Sequence, residues 1–99
     1  MIFISYSSRD YNTAQTIRKV LENNSIECWM APESIPMGSD YACEIPDAIE
    51  KCSAFLLVLS KCAQESNWVP KELDLAITYN KVIIPFQIDD EMLTRVILK

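Results

Sequence analysis

The chain contains no histidine, so any chemistry it performs runs on carboxylates, hydroxyls, amines or thiols. Nucleophilic sites of the Ser-His-Asp and Cys-His kinds are excluded together. The four cysteines, Cys28, Cys43, Cys52 and Cys62, form no CxxC pair. Without close pairs or histidine partners they do not make a structural zinc site, and no metal is expected. They read as small buried or half-buried thiols, with no disulfide framework, since the chain carries no secretory signal. The single glycine, Gly38, removes both the GxGxxG and the GxxxxGK phosphate loops. Trp68 and Glu72 stand i, i+4, so on a helix they share one face. By residue type alone Glu72 is an ordinary helix carboxylate, and Trp68 serves equally as packing or as the wall of a ligand site.

The elements that must position these residues follow from patterning. Length and composition bound them first: 99 residues make one small domain with a thin core, and a 49% apolar share argues against disorder. Net charge is −5, with 14 acidic against 9 basic side chains, which disfavours a nucleic-acid partner. The apolar runs are strand-sized and fall short of the roughly 20 residues a membrane span needs. With no basic leader, a cytoplasmic setting is expected and no membrane partner.

Ile2-Phe3-Ile4-Ser5-Tyr6 reads as a buried strand, with Ser7, Ser8 and Asp10 as turn and cap residues after it. Ala14, Ile17, Val20 and Leu21 then recur at helical spacing, up to a stop at Asn23-Asn24-Ser25. A short strand over residues 26–30 leads into a loop broken by Pro32, Pro36 and Gly38. Ser39 or Asp40 caps a second helix with the stripe Tyr41, Ile45, Ala48, Ile49 and Cys52. Pro46 requires that helix to start late or to hold the proline in its first turn. Residues 54–59 are apolar on both faces, as in a central parallel strand. After a polar stretch, Asn67 is expected to cap a helix through Trp68, Glu72, Leu75, Ala76 and Tyr79, with Pro70 in its first turn. Residues 82–88 form a fourth strand, which Pro85 places at an edge or at its exit. Asp89-Asp90-Glu91 then opens a helix over residues 92–98.

This β-α alternation predicts an α/β fold: a flavodoxin-like three-layer sandwich around a parallel sheet. Ligands in such folds bind beyond the carboxyl ends of the strands, where Ser7-Ser8-Arg9, the loop 31–40 and residues 60–68 gather, within reach of Glu72. A phosphorelay receiver of similar fold needs acidic residues after the first strand and an aspartate after the third. Those ends are Ser5-Tyr6-Ser7 and Leu59-Ser60 here, so that reading fails.

Four segments carry a family resemblance. Phe3-Ile4-Ser5-Tyr6-Ser7 with Asp10 resembles the first motif of TIR domains (Toll/interleukin-1 receptor/resistance). Ala31-Pro32-Glu33-Ser34-Ile35-Pro36-Met37-Gly38 is similar to their long loop after the second strand. Ser66-Asn67-Trp68-Val69-Pro70-Lys71-Glu72 is similar to their Ser-x-Trp-Cys-x-x-Glu box, with Val69 where cysteine is common. Ile84-Pro85-Phe86 resembles their fourth-strand motif. The match runs in order from residue 2 to about residue 90, and the compact spacing is similar to that of bacterial members, several of which act in defence. The family usually has a fifth strand and a closing helix. Only four strands are visible here, so residues 1–99 are expected to be a domain that is C-terminally truncated or part of a longer protein.

The resemblance implies two alternative functions. Some TIR domains are non-catalytic modules that assemble with other TIR domains. Others are activated by self-assembly and cleave NAD at the nicotinamide–ribose bond, giving linear or cyclic ADP-ribose. In these the glutamate of the tryptophan box is catalytic, which points to Glu72. The resemblance further places Ser7, Ser8 and Trp68 near the dinucleotide and Glu33 beside it, with Ile35, Pro36, Met37 and Gly38 in the interaction loop. Ser7 and Ser8 read equally as turn and cap residues, and Glu33 as a loop charge. NAD would be the substrate, and no cofactor is implied. The leaving nicotinamide is neutral, so one carboxylate that stabilises an oxocarbenium-like ribose suffices. A helix N-terminus should favour the ionised form of Glu72.

Overall fold

A computed structural model of the chain describes residues 1–89. Its elements are β1 (Ile2–Ser5), a 3-10 turn (Ser8–Asp10), α1 (Tyr11–Asn23), β2 (Cys28–Trp29), α2 (Tyr41–Lys51), β3 (Ala54–Leu59), α3 (Lys61–Glu65), α4 (Val69–Thr78) and β4 (Val82–Gln87). The four strands form one parallel sheet in the order β2-β1-β3-β4. This is the flavodoxin-like arrangement expected from the alternation. The helix anticipated over residues 92–98 lies outside the described residues.

Register sets the core. Phe3 pairs with Trp29 on one side and Phe55 on the other. The period of two then aligns the three rings across the sheet, with centroids 5.0 Å and 5.4 Å apart and planes tilted by 11° and 6°. Each such ring pair adds about 0.5–1.5 kcal/mol beyond burial. Ile45 and Ile49 of α2 and Val69 and Leu73 of α4 close over this face. On the other face Ile4, Leu56 and Val58 meet Ala14 of α1 and Met30. β3 is buried along its whole length, as its two-faced apolar run requires. At the sheet edge β4 is largely exposed: Val82, Ile84 and Phe86 face solvent, and Pro85 is tolerated because one flank takes no partner strand among the described residues.

Three local expectations are corrected. Pro46 sits well inside α2 rather than in its first turn. The helix still starts at Tyr41, because the Asp40 carboxylate accepts from the Ala42 N–H at 2.9 Å. Burial of Ile45, Ala48 and Ile49 offsets a proline penalty of roughly 3 kcal/mol. The polar stretch after β3 contains a short helix, α3, which Ser60 starts by accepting from the Ala63 N–H at 2.9 Å. Finally, Trp68 rather than Asn67 occupies the N-cap position of α4, and Ser66 Oγ accepts from the N–H groups of Trp68 and Val69.

Candidate active site

A cleft of about 340 Å³ opens beyond the carboxyl end of β1. Its walls are mostly apolar: Phe3 and Ile4 of β1, Ala31 and Pro32 of the loop, Ile45 of α2, and the rings of Tyr6, Tyr41 and Trp68. Glu72 lines it from α4. Ser5, 1% exposed and last in β1, donates its hydroxyl to Glu72 Oε1 at 2.8 Å. Burial pushes the Glu72 carboxyl up to about 7, and the Ser5 hydrogen bond opposes that rise. The expectation that a helix terminus would keep Glu72 readily ionised is therefore corrected. Removing a carboxylate from water outweighs a dipole effect that fades within one turn.

A second, more polar groove of about 450 Å³ adjoins the cleft, lined by Ser7, Arg9, Cys62, Glu65 and Asn67. The two share Ser8, Ser66 and Trp68 as a common rim. An apolar chamber holding one carboxylate thus continues into a polar trough with a guanidinium. The arrangement suits an elongated ligand with a flat ring at one end and anionic or hydroxylated groups at the other.

The sequence-based candidates divide. Glu72, Trp68 and Ser8 converge on the cleft. Trp68 is 63% exposed, with Lys71 Nζ 5.7 Å from its ring centroid. Ser7 lines only the groove, is buried, and accepts from the Arg9 N–H at 3.3 Å, so it also caps the 3-10 turn. Glu33 lines neither cavity. It is exposed and accepts a hydrogen bond from the Tyr11 hydroxyl. Pro36, Met37 and Gly38 form an exposed tip, with Gly38 at φ +82, where a side chain would be strained. Ile35 does not belong with them. It is 9% exposed and packs into the core under α2 and α4, which corrects its assignment to an interaction surface. Its apolar side chain turns inward because the Ile35 N–H closes a turn onto the Pro32 carbonyl, which keeps the root of the loop against the sheet.

Ser5, Tyr6, Tyr41 and Ser66 were not singled out from the sequence. Ser5 and Tyr6 carried a usable signal, since they end a strand at the rim where such folds bind ligands. The Tyr6 hydroxyl donates to the Ala31 carbonyl and ties the loop to β1. Burial, then the Glu33 charge, push Tyr6 up to about 12, so it stays a phenol. Asp10 of the first motif is structural: it accepts from Ser60 Oγ at 2.5 Å and joins the 3-10 turn to the start of α3. The four cysteines are free thiols. Among the described residues no group of His, Cys, Asp and Glu is placed to hold a metal ion, and no helix is long and apolar enough to cross a membrane.

Comparisons with known proteins agree with this architecture. No curated protein sequence matches the chain significantly. The TIR domain of the Toll-related receptor TRR-2 from Hydra magnipapillata is 23% identical with a TM-score of 0.85, over 95% of this chain and 74% of that one. The TIR domains of the activated Roq1 resistosome, which directly recognises the pathogen effector XopQ, are 20% identical with a TM-score of 0.81, over 91% and 58%. A metazoan TIR-STING receptor from C. gigas is 25% identical with a TM-score of 0.77, over 90% and 31%. At such identities the first two establish the fold alone. The sequence itself matches the family model described as TIR domain over residues 2–98, and the chain belongs to the TIR domain family.

Proposed function

We propose that this TIR domain cleaves the nicotinamide–ribose bond of NAD, with Glu72 as the catalytic carboxylate, and that self-assembly activates it. The observation that carries the reading is a single partly buried carboxylate at the wall of an aromatic-lined cleft continuous with a polar groove. Nicotinamide sits in the cleft against Trp68, Tyr6 or Tyr41, and the ribose lies over Glu72. The pyrophosphate runs past Ser8 and Ser66 towards Arg9. The C1′–N bond breaks with its electron pair going to nicotinamide, which leaves neutral. The positive charge left on the ribose is stabilised by ionised Glu72. Water then adds at C1′ and releases a proton, giving ADP-ribose; capture by the adenine ring would give the cyclic form instead. NAD is consumed as a substrate, in keeping with the cytoplasmic setting expected from the sequence.

Assembly reaches the site through the loop. Ala31 and Pro32 line the cleft, while Met37 stands fully in solvent further along the same loop. Docking of the tip on another TIR domain would shift those walls and complete the site. The test is nicotinamide release from NAD by the chain, dilute and under crowding, with Glu72→Ala alongside. Release that rises on assembly and vanishes in the variant is expected. No release from assembled chain, or equal release from the variant, sinks the reading.

The exposed Met37 also favours a second reading, a TIR–TIR interaction module without catalysis. Under it, Met37→Asp abolishes association while Glu72→Ala leaves signalling intact.

A further inference from the structure

β1 alternates strictly between the two faces of the sheet, so Ser5 shares the Phe3 face, which α2 and α4 cover. A hydroxyl in that position, 1% exposed, must find a partner or lose its solvation without return. Its partner is Glu72 Oε1 at 2.8 Å, 67 residues away in the chain. Backbone pairing of Ser5 with Leu57 fixes where the hydroxyl originates. Glu72 Oε2 takes no other side-chain hydrogen bond among the described residues, and Glu72 lines the cleft.

We infer that Ser5 is a positioning residue for the NAD-cleaving carboxylate: it holds Oε1 against the sheet and leaves Oε2 as the oxygen presented to the ribose. The inference rests on the cleavage reading above. A carboxylate on a long side chain at a cleft wall has several rotamers, and a fixed donor selects one. Because the hydroxyl donates to the charged form, it also favours ionisation in a site whose burial opposes it. The titratable groups that line the cleft with Glu72 are Tyr6 after β1 and Tyr41 of α2; Arg9, Cys62 and Glu65 line the adjoining groove, and Lys71 and Asp74 are the other charged residues of α4. Glu33 lies across Tyr6.

The experiment uses Ser5→Ala, which deletes the hydroxyl, and Ser5→Cys, which keeps the volume with a weak donor. Ser5→Thr restores the hydroxyl. In assembled NAD cleavage, Ala and Cys should lower kcat by about tenfold or more, with KM changed less than about twofold. The acid limb of their pH profile should move to higher pH, and Thr should recover both. Independently, the carboxyl carbon of Glu72 is titrated by 13C NMR without NAD, and its midpoint should rise in folded Ala or Cys variants. An unchanged midpoint and pH profile in either folded variant would overturn the inference. If the unsubstituted chain releases no nicotinamide, the cleavage reading fails, and the NMR titration still decides whether Ser5 governs Glu72.

Discussion

Two glutamates, Glu72 in the cleft and Glu33 outside it, live in opposite surroundings. Glu72 projects from α4 into an apolar cleft, is held by a buried serine, and is pushed up to about 7 by desolvation. Glu33 sits on the exposed loop between β2 and α2, held by the hydroxyl of Tyr11. The contrast teaches that the Glu72 carboxylate is fixed between a strand and a helix, whereas the loop is pinned at Ile35 and open at its tip.

The sharpest way to break this contrast lies at the root of the loop. Ile35→Asp places an unpaired carboxylate in the core and should destabilise the fold by about 3–5 kcal/mol. Met37→Asp at the tip should change stability by less than about 0.5 kcal/mol. Urea unfolding of both variants checks the pair, and equal effects would mean that the loop is not pinned at Ile35.

A smaller effect concerns Glu72. A carboxyl raised in the folded state binds protons that the unfolded chain has already released. Its stabilising contribution is therefore complete below the ordinary carboxylate range and is lost as pH rises through about 7. Glu72→Gln should thus gain about 2 kcal/mol over the natural chain at about pH 8, and little at about pH 4. Thermal unfolding at the two pH values reads the difference. A gain only at low pH would reverse the sign and refute a raised Glu72.

The smallest effect belongs to the loop carboxylate. Glu33→Gln should alter the unfolding free energy by no more than about 0.5 kcal/mol, since its contact with the half-buried Tyr11 is made at an exposed position. A larger loss in the same urea assay would make the Tyr11–Glu33 contact a structural tie and weaken the contrast with Glu72.

Much of the scaffold was legible because its signals are local. The two-faced run of β3, the α1 stripe ending at Asn23, and Pro85 on an edge strand each follow from a few adjacent residues. Trp68 and Glu72 could be placed together by helical spacing, but only the family motif singled out Glu72. What stayed hidden depends on packing across the chain. The Ser5–Glu72 hydrogen bond joins residues 67 positions apart, and the burial that raises Glu72 arises only when the walls of the cleft close around it. The family resemblance groups Ile35 with the interaction loop, and the prolines beside it mark a loop without showing which way the side chain points. α3 is too short for any periodicity to register, and Pro46 violates a helix rule that core burial overrides.

The central claim is that Glu72, ionising in this cleft, cleaves NAD when the domain assembles. The most direct measurement is kcat/KM for nicotinamide release by assembled chain from about pH 5 to about pH 9, for the natural sequence and for Glu72→Gln. The natural sequence should show a limb rising through about pH 7, set by the Glu72 carboxyl, and Glu72→Gln should fall at least about a hundredfold with no such limb. Equal rates in the two proteins, or a limb that survives in Glu72→Gln, would contradict the account.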